Sequence, residues 1–183
     1  LGVLYETLAH EGYPGHLYFF NYVKQQGWHP INFFVSNIGF EEGWAEYAAR
    51  LSLDSWGLDP DMMEVIFLDQ EFSYLLMGLS DIGINYGGWT VDDVYDLWET
   101  YFYLDSAEDV RDVYDACMAE PGTILSYSIG YYQICDLEEE VKEMLGESFD
   151  HNEFVTELLS VGGASFDITR SYIMEWANEK LHG

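Results

Sequence analysis

The stretch HEGYPGH, residues 10–16, brings two histidines and a glutamate together. Imidazole nitrogens ligate zinc, and a carboxylate beside the ion can take a proton from water, so these residue types suit hydrolysis. In the common zinc-protease motif the two histidines are four apart and project from one helix face, about 40° apart around the axis. Here the fourth position is Pro14, and the second histidine comes only at His16. On an unbroken helix residues six apart diverge by about 120° and cannot share an ion. Proline, however, has no backbone donor, and its ring clashes with the carbonyl four residues before it, which is that of His10. The helix is therefore expected to open at Pro14, with Gly15 supplying the backbone freedom for a reversal that returns His16 to the side of His10.

A catalytic zinc site needs a third protein ligand and an open position for water. The segment EEGWAEYAA offers Glu42 on a second helix, and Glu46, one turn further, is placed to accept from a ligand imidazole. Spacing alone leaves two readings open: a metal site of His10, His16 and Glu42, or a solvated His–Glu pair in a chain with five histidines.

The elements that must position these groups read as helical throughout. Residues 1–13 and 15–27 form a pair of helices about the Pro14–Gly15 break, and 39–57 form a third that ends at Gly57. A long apolar helix follows, with Asp59 as its cap and Pro60 at its first position; its length and content suggest a buried central element. Thr90 caps the next, with acids in the first turn that suit the helix dipole, and Ser106 repeats the pattern. Residues 121–146 read as one long helix, apolar first and charged at its end, and two more helices complete the chain. The acids of VDDVYD and DLEEEVKEMLGE read as solvated faces, His29 and His182 as exposed, and His151 as the neighbour of a cap. With no strand-type alternation and no repeat, the expected fold class is all-α, in a single helical domain over residues 1–183.

Composition narrows the partners. The chain has 183 residues, 34 acidic against 6 basic, for a net charge of −28. Such a surface repels nucleic acid and anionic membranes. No apolar run is long enough to span a bilayer. Cys117 and Cys135 make neither a zinc-type spacing nor a disulfide framework. The opening LGVLYETLAHEG starts in mid-helix without an initiator methionine, which suggests the C-terminal portion of a longer protein.

Taken in order, HEGYPGH, EEGWAEYA, LSDIGINYGGWT, PGTILSYSIGYYQI and LLSVGGASFDI resemble the C-terminal part of the bacterial family called domain of unknown function 885. That family is classed with gluzincin-like metallopeptidases and is marked by an HExxPGH motif followed by an EGW helix. The resemblance implies Zn2+ held by His10, His16 and Glu42, with Glu11 as the general base. It also implies a zincin-like arrangement in which other helices pack around the HExxPGH and EGW helices. Tyrosines near the oxyanion are common in related helical zinc peptidases, so Tyr127, and after it Tyr131 four residues on, are candidate oxyanion donors.

Three positions depart from the family's pattern. Asn85 and Val155 stand where relatives carry histidine, and Ala49 where a glutamate is common. The expected function is zinc-dependent peptide-bond hydrolysis, incomplete in this portion, with a peptide substrate and the N-terminal part of the same protein as partners. The departures support an alternative, a non-catalytic module that binds metal or peptide. Many relatives carry lipoprotein or secretion signals, so an extracytoplasmic or lipoprotein-type bacterial location is expected.

Overall fold

A computed structural model describes residues 2–28, 31, 34, 35 and 37–183. Among them are nine α-helices and no strand: α1 (Gly2–Glu11), α2 (His16–Gln25), α3 (Ile38–Ser52), α4 (Pro60–Asn85), α5 (Val91–Trp98), α6 (Arg111–Ala119), α7 (Thr123–Leu145), α8 (His151–Val161) and α9 (Phe166–His182). Single-turn 3-10 helices occupy Leu53–Ser55, Ala107–Val110 and Gly146–Ser148. The fold class is all-α, as the apolar spacing predicts.

Local chemistry accounts for many boundaries. Asp59 accepts from the Met62 amide at 3.0 Å, with Pro60 at the first position of α4 where a missing donor costs nothing. Thr90 and Asp93 form a reciprocal capping box at α5, and Asp150 accepts from the Glu153 amide at α8. The helix expected after Ser106 begins instead as a 3-10 turn, because Asp109 is drawn back to the Asp105 and Ser106 amides, and α6 starts only at Arg111.

The core lies between α3 and α7, with α2, α8 and α9 closing it. Phe40, Trp44 and Ala48 of α3 meet Ile134, Leu137 and Val141 of α7, and Phe19, Phe154, Leu158 and Ile173 fill the remaining sides. Each of these large apolar side chains contributes roughly 1.5–3 kcal/mol by leaving water. Two glycines set how closely α3 and α7 approach. A Cβ on Gly43 would lie 2.3 Å from the Gly130 carbonyl carbon, and one on Gly130 would lie 2.0 Å from the Gly39 oxygen. The glycine of EGW is thus a helix-crossing residue that lets α7 press against α3.

A smaller cluster of Ile84, Val94, Val110 and Cys117 joins the end of α4 to α5 and α6, with Trp89 packed on it. The Trp89 ring lies where a Gly83 Cβ would fall, which gives the GINYGGW segment a packing role. The expectation of a buried α4 is corrected. Met63, Phe67 and Leu76 are buried, but Met62, Val65, Leu68, Leu79 and Ile82 are exposed, so the helix is apolar on a face that the described residues do not cover. Glu138 also departs from the expected solvated face: it is buried and pairs with Lys142 and His151. His151 is itself the first residue of α8. His182 is exposed, and His29 lies outside the described residues. Both cysteines are free thiols.

Candidate functional site

The site is built on the break between α1 and α2. The helical ladder of α1 closes with Gly12 N–H to Leu8 O at 2.9 Å and Gly15 N–H to Ala9 O at 2.8 Å, and α2 begins as Phe19 N–H reaches Gly15 O at 3.0 Å. The intervening turn holds a cis Tyr13–Pro14 peptide. A Cβ at Gly15 would lie 1.8 Å from the His10 carbonyl oxygen, so only glycine allows the chain to fold this tightly onto the end of α1. The result brings the His10 and His16 rings to 4.8 Å between centroids, nearly perpendicular to one another.

α3 supplies the carboxylate. Glu42 Oε2 lies 3.3 Å from His10 Nε2 and 3.3 Å from His16 Nε2. One ligand atom from each of the three residues falls within 4.8 Å of the others. A tetrahedral zinc ion at about 2.0–2.1 Å from each ligand holds neighbouring ligand atoms about 3.3 Å apart. Both measured separations fit that figure, and two imidazoles with one carboxylate form a zinc-type donor set. The residues present therefore fit the ion.

Behind these three candidate ligands sits a second layer of polar groups. Glu46 Oε1 lies 3.0 Å from His10 Nδ1, on the side of the ring away from Glu42. Buried Glu6, four residues before His10 on α1, shares this region, and Gln70 of α4 donates to both Glu6 Oε1 and Tyr74 Oη at 3.0 Å. His16 Nδ1 is buried with no hydrogen-bond partner among the described residues, and His10 Nδ1 and Glu46 Oε1, close as they are, are not aligned for a hydrogen bond either. Glu6, Gln70 and Tyr74 were not singled out from sequence. Glu6 carried a usable signal, since positions 6 and 10 share one helix face just as 42 and 46 do. Gln70 and Tyr74, on a remote helix, carried none.

The two candidate tyrosines part company. The Tyr127 ring stacks 5.9 Å from that of His10, and its hydroxyl interacts with Glu42. Tyr131 shares a small cavity with Tyr127 and Glu46 but lies edge-on to Phe67 at 5.7 Å and beside Cys135. Glu11 is exposed, and its charge is felt by the Tyr127 hydroxyl. The departing positions have their own partners. Asn85 donates to Asp81 Oδ1 at 2.8 Å and to the Cys117 carbonyl at 3.0 Å. Buried Asp81 in turn accepts from the Gly122 amide at 2.7 Å, where a left-handed residue (φ 82°) opens α7. This pair thus anchors the start of the helix that carries Tyr127. Val155 packs against the main core, and Ala49 is fully buried.

The cluster is strongly charge-coupled. Burial opposes the His10 imidazolium, but its close contacts with Glu42 and Glu46 and the charges of both outweigh it, raising its pKa to about 10. Burial likewise opposes the Glu42 carboxylate, yet its bonds to His10 and His16 prevail and hold it at about 2. Glu6 is pushed up to about 7, by burial first and then by Glu46. Burial and Glu42 raise Tyr127 to about 12, so its hydroxyl keeps its proton and remains a donor at neutral pH.

A family model described as "Bacterial protein of unknown function (DUF885)" matches residues 3–173. The chain belongs to the DUF885 family. No curated protein matches it. Among solved structures, this DUF885 chain is similar to one described as a lipoprotein from Colwellia psychrerythraea, with a TM-score of 0.81 and 23% identity over 95% of this chain. It is also similar to one described as a lipoprotein of unknown function from Shewanella oneidensis, with a TM-score of 0.77 and 23% identity over 94% of this chain. These likenesses concern the fold. The chain spans 30% and 31% of the length of those two proteins. No helix among the described residues is long and apolar enough to cross a membrane.

Proposed function

We propose that this DUF885 chain is the zinc-binding portion of a metallopeptidase, with His10, His16 and Glu42 as ligands and Glu11 as the general base. The observation that carries the reading is the convergence of two imidazole nitrogens on one carboxylate oxygen, each at 3.3 Å, across the Pro14–Gly15 turn. A zinc ion held there supplies Lewis acidity, which makes water a nucleophile near neutral pH and polarises a substrate carbonyl.

The residues of the chain do the rest. Glu11, on the solvent side next to His10, accepts a proton from the attacking water and returns it to the departing amine nitrogen. Glu46, 3.0 Å from His10 Nδ1, would hold the ring so that Nε2 stays turned toward Glu42 and free to ligate. Tyr127 keeps its hydroxyl proton and donates a hydrogen bond to the developing oxyanion, a preorganised interaction that contributes a few kcal/mol in comparable sites. Tyr131 has no part in this scheme, since its ring is committed to Phe67 and Tyr132.

This chain spans under a third of the two similar structures, and on this reading the remaining substrate-binding walls would come from the N-terminal part of the full-length protein. The exposed apolar residues Val3, Leu4, Leu8, Leu17 and Phe20 beside the site support this. The 183-residue chain alone is then inactive or nearly so, and an extracytoplasmic, lipoprotein-type location goes with the full-length protein. The test is hydrolysis of casein and quenched peptides by the full-length protein and its Glu11→Gln variant. Loss of turnover with retained zinc supports Glu11 as the base; undiminished turnover rejects it. A non-catalytic module is the second reading, favoured by Asn85 and Val155, whose side chains are spent on structure. A full-length protein that binds zinc and peptide without cleaving would establish it.

A further inference from the structure

We infer that the outward face of α4 is a docking seam for an amphipathic helix with basic flanks, supplied by the part of the full-length protein outside these 183 residues. The inference rests on the reading of this chain as a portion of a longer protein, and not on the zinc site.

The seam follows from spacing and exposure together. Val65, Leu68, Phe72, Leu75, Leu79 and Ile82 succeed one another at intervals of three, four, three, four and three residues. That alternation places apolar side chains along one line of a helix, as in helices that pack lengthwise on a second helix. At 1.5 Å per residue the stripe runs for about 25 Å. Five of its six side chains are 36–65% exposed, and Leu75 is half-buried. The other faces of α4 are taken up within the chain: Gln70 reaches Glu6 of α1, Phe67 meets Tyr131 of α7, and Gly83 lies under Trp89. Beside Phe72 the rings of Tyr101 and Phe102, at 5.2 and 6.2 Å, raise one wall along the stripe. A continuous apolar stripe left facing water marks an interaction surface, and its three–four period fits a helix laid along it.

Charge selects the occupant. Glu64 and Glu71 border the stripe on one side and Asp69 on the other, and α4 contains no Lys, Arg or His. A second copy of the chain would set acid against acid at both borders, and a net charge of −28 against its equal. An anionic lipid surface is opposed by the same charge, since helices that lie on membranes carry Lys and Arg where α4 carries acids. A helix with an apolar stripe of matching period, bordered by Lys or Arg, meets both the seam and its rims. More than two-thirds of each of the two similar proteins lies outside the region this chain matches, so a longer protein has ample polypeptide to provide one. Covalent linkage would hold that helix at high effective concentration beside the seam.

The test uses the full-length protein, with and without chelator, so that failure of the zinc reading leaves the outcome unchanged. Leu68→Cys and Leu79→Cys are treated with a maleimide, and peptide mass spectrometry separates their labelling from that of the native Cys117 and Cys135. Both introduced thiols are expected to react at least about tenfold more slowly in the native protein than in urea, at every protein concentration tried. In the unsubstituted protein a zero-length carbodiimide is expected to join Asp69 or Glu71 to lysines outside the 183 residues. Thiols as reactive in the native protein as in urea would overturn the seam. So would protection that fades on dilution, the mark of a second copy, or carbodiimide links confined to lysines within the 183 residues.

Discussion

On the proposed reading zinc would compete with a proton for His10, and the size of that competition follows from the electrostatics of the cluster. With the His10 pKa raised to about 10, the ring is a cation across the neutral range, held between Glu42 and Glu46. An ion entering the cluster must displace one proton from Nε2. The apparent zinc affinity should therefore rise about tenfold for each pH unit below the His10 pKa, or about a thousandfold between pH 6.5 and 9.5. Glu42, lowered to about 2, is ionised throughout this range and adds nothing to the slope. The assay is competition against a chromophoric zinc chelator at each pH, with calorimetry in two buffers of different protonation enthalpy to count the protons released. Replacing Glu46 by glutamine removes one of the charges that raise His10, so its slope should flatten at a lower pH than in the parent chain. The same linkage gives a sign for stability without metal. A histidine whose folded pKa is raised stabilises fully below about 6.5, and this stabilisation fades as pH climbs through about 10. Tight zinc binding with no dependence on pH between 7 and 9 would refute the coupling of His10 to both carboxylates.

Further expectations concern the backbone that shapes the site. Gly15→Ala drives a methyl group into the His10 carbonyl, so zinc binding should be lost even if most helicity by circular dichroism survives. Gly43→Ala presses on the Gly130 backbone and should cost about 1–3 kcal/mol as overpacking, seen as a melting point lowered by roughly 2–12 °C. A melting point equal to the parent's would show that α3 and α7 are not locked at this crossing. Asp81→Ala strands the Gly122 amide and should destabilise by about 1–3 kcal/mol in urea titration, with no direct effect on zinc affinity. Tyr127→Phe in the full-length protein should lower kcat by about 10²–10³ with zinc content unchanged, whereas Tyr131→Phe should leave kcat as it was.

The helical framework was legible because its signals are local. Asp59–Pro60, Thr90 with Asp93, and the 3.6-residue spacing of apolar positions each act within a few residues of one another. Residues 10–16 likewise carried the bend on their face, since a proline four positions after a helical carbonyl cannot continue the ladder. What sequence did not disclose depends on distant parts of the chain. The Gly43–Gly130 crossing joins residues on two helices that nothing in their spacing pairs. Gln70 reaches Glu6 from another helix, and Glu138 leaves its acidic run to meet His151. Tyr127 and Tyr131 looked equivalent because residues four apart share a face, but the face is wide enough for one ring to stack on His10 and the other to settle on Phe67. The α4 face read as buried because apolar content does not say whether the partner lies within the same 183 residues.

Anomalous diffraction at the zinc absorption edge, from crystals of the chain grown with one equivalent of zinc, bears most directly on the central claim. The account predicts a single strong peak bounded by His10 Nε2, His16 Nε2 and a Glu42 oxygen, absent from a His16→Ala crystal. Density without a peak there, or zinc bound only at acidic surface groups, would contradict it.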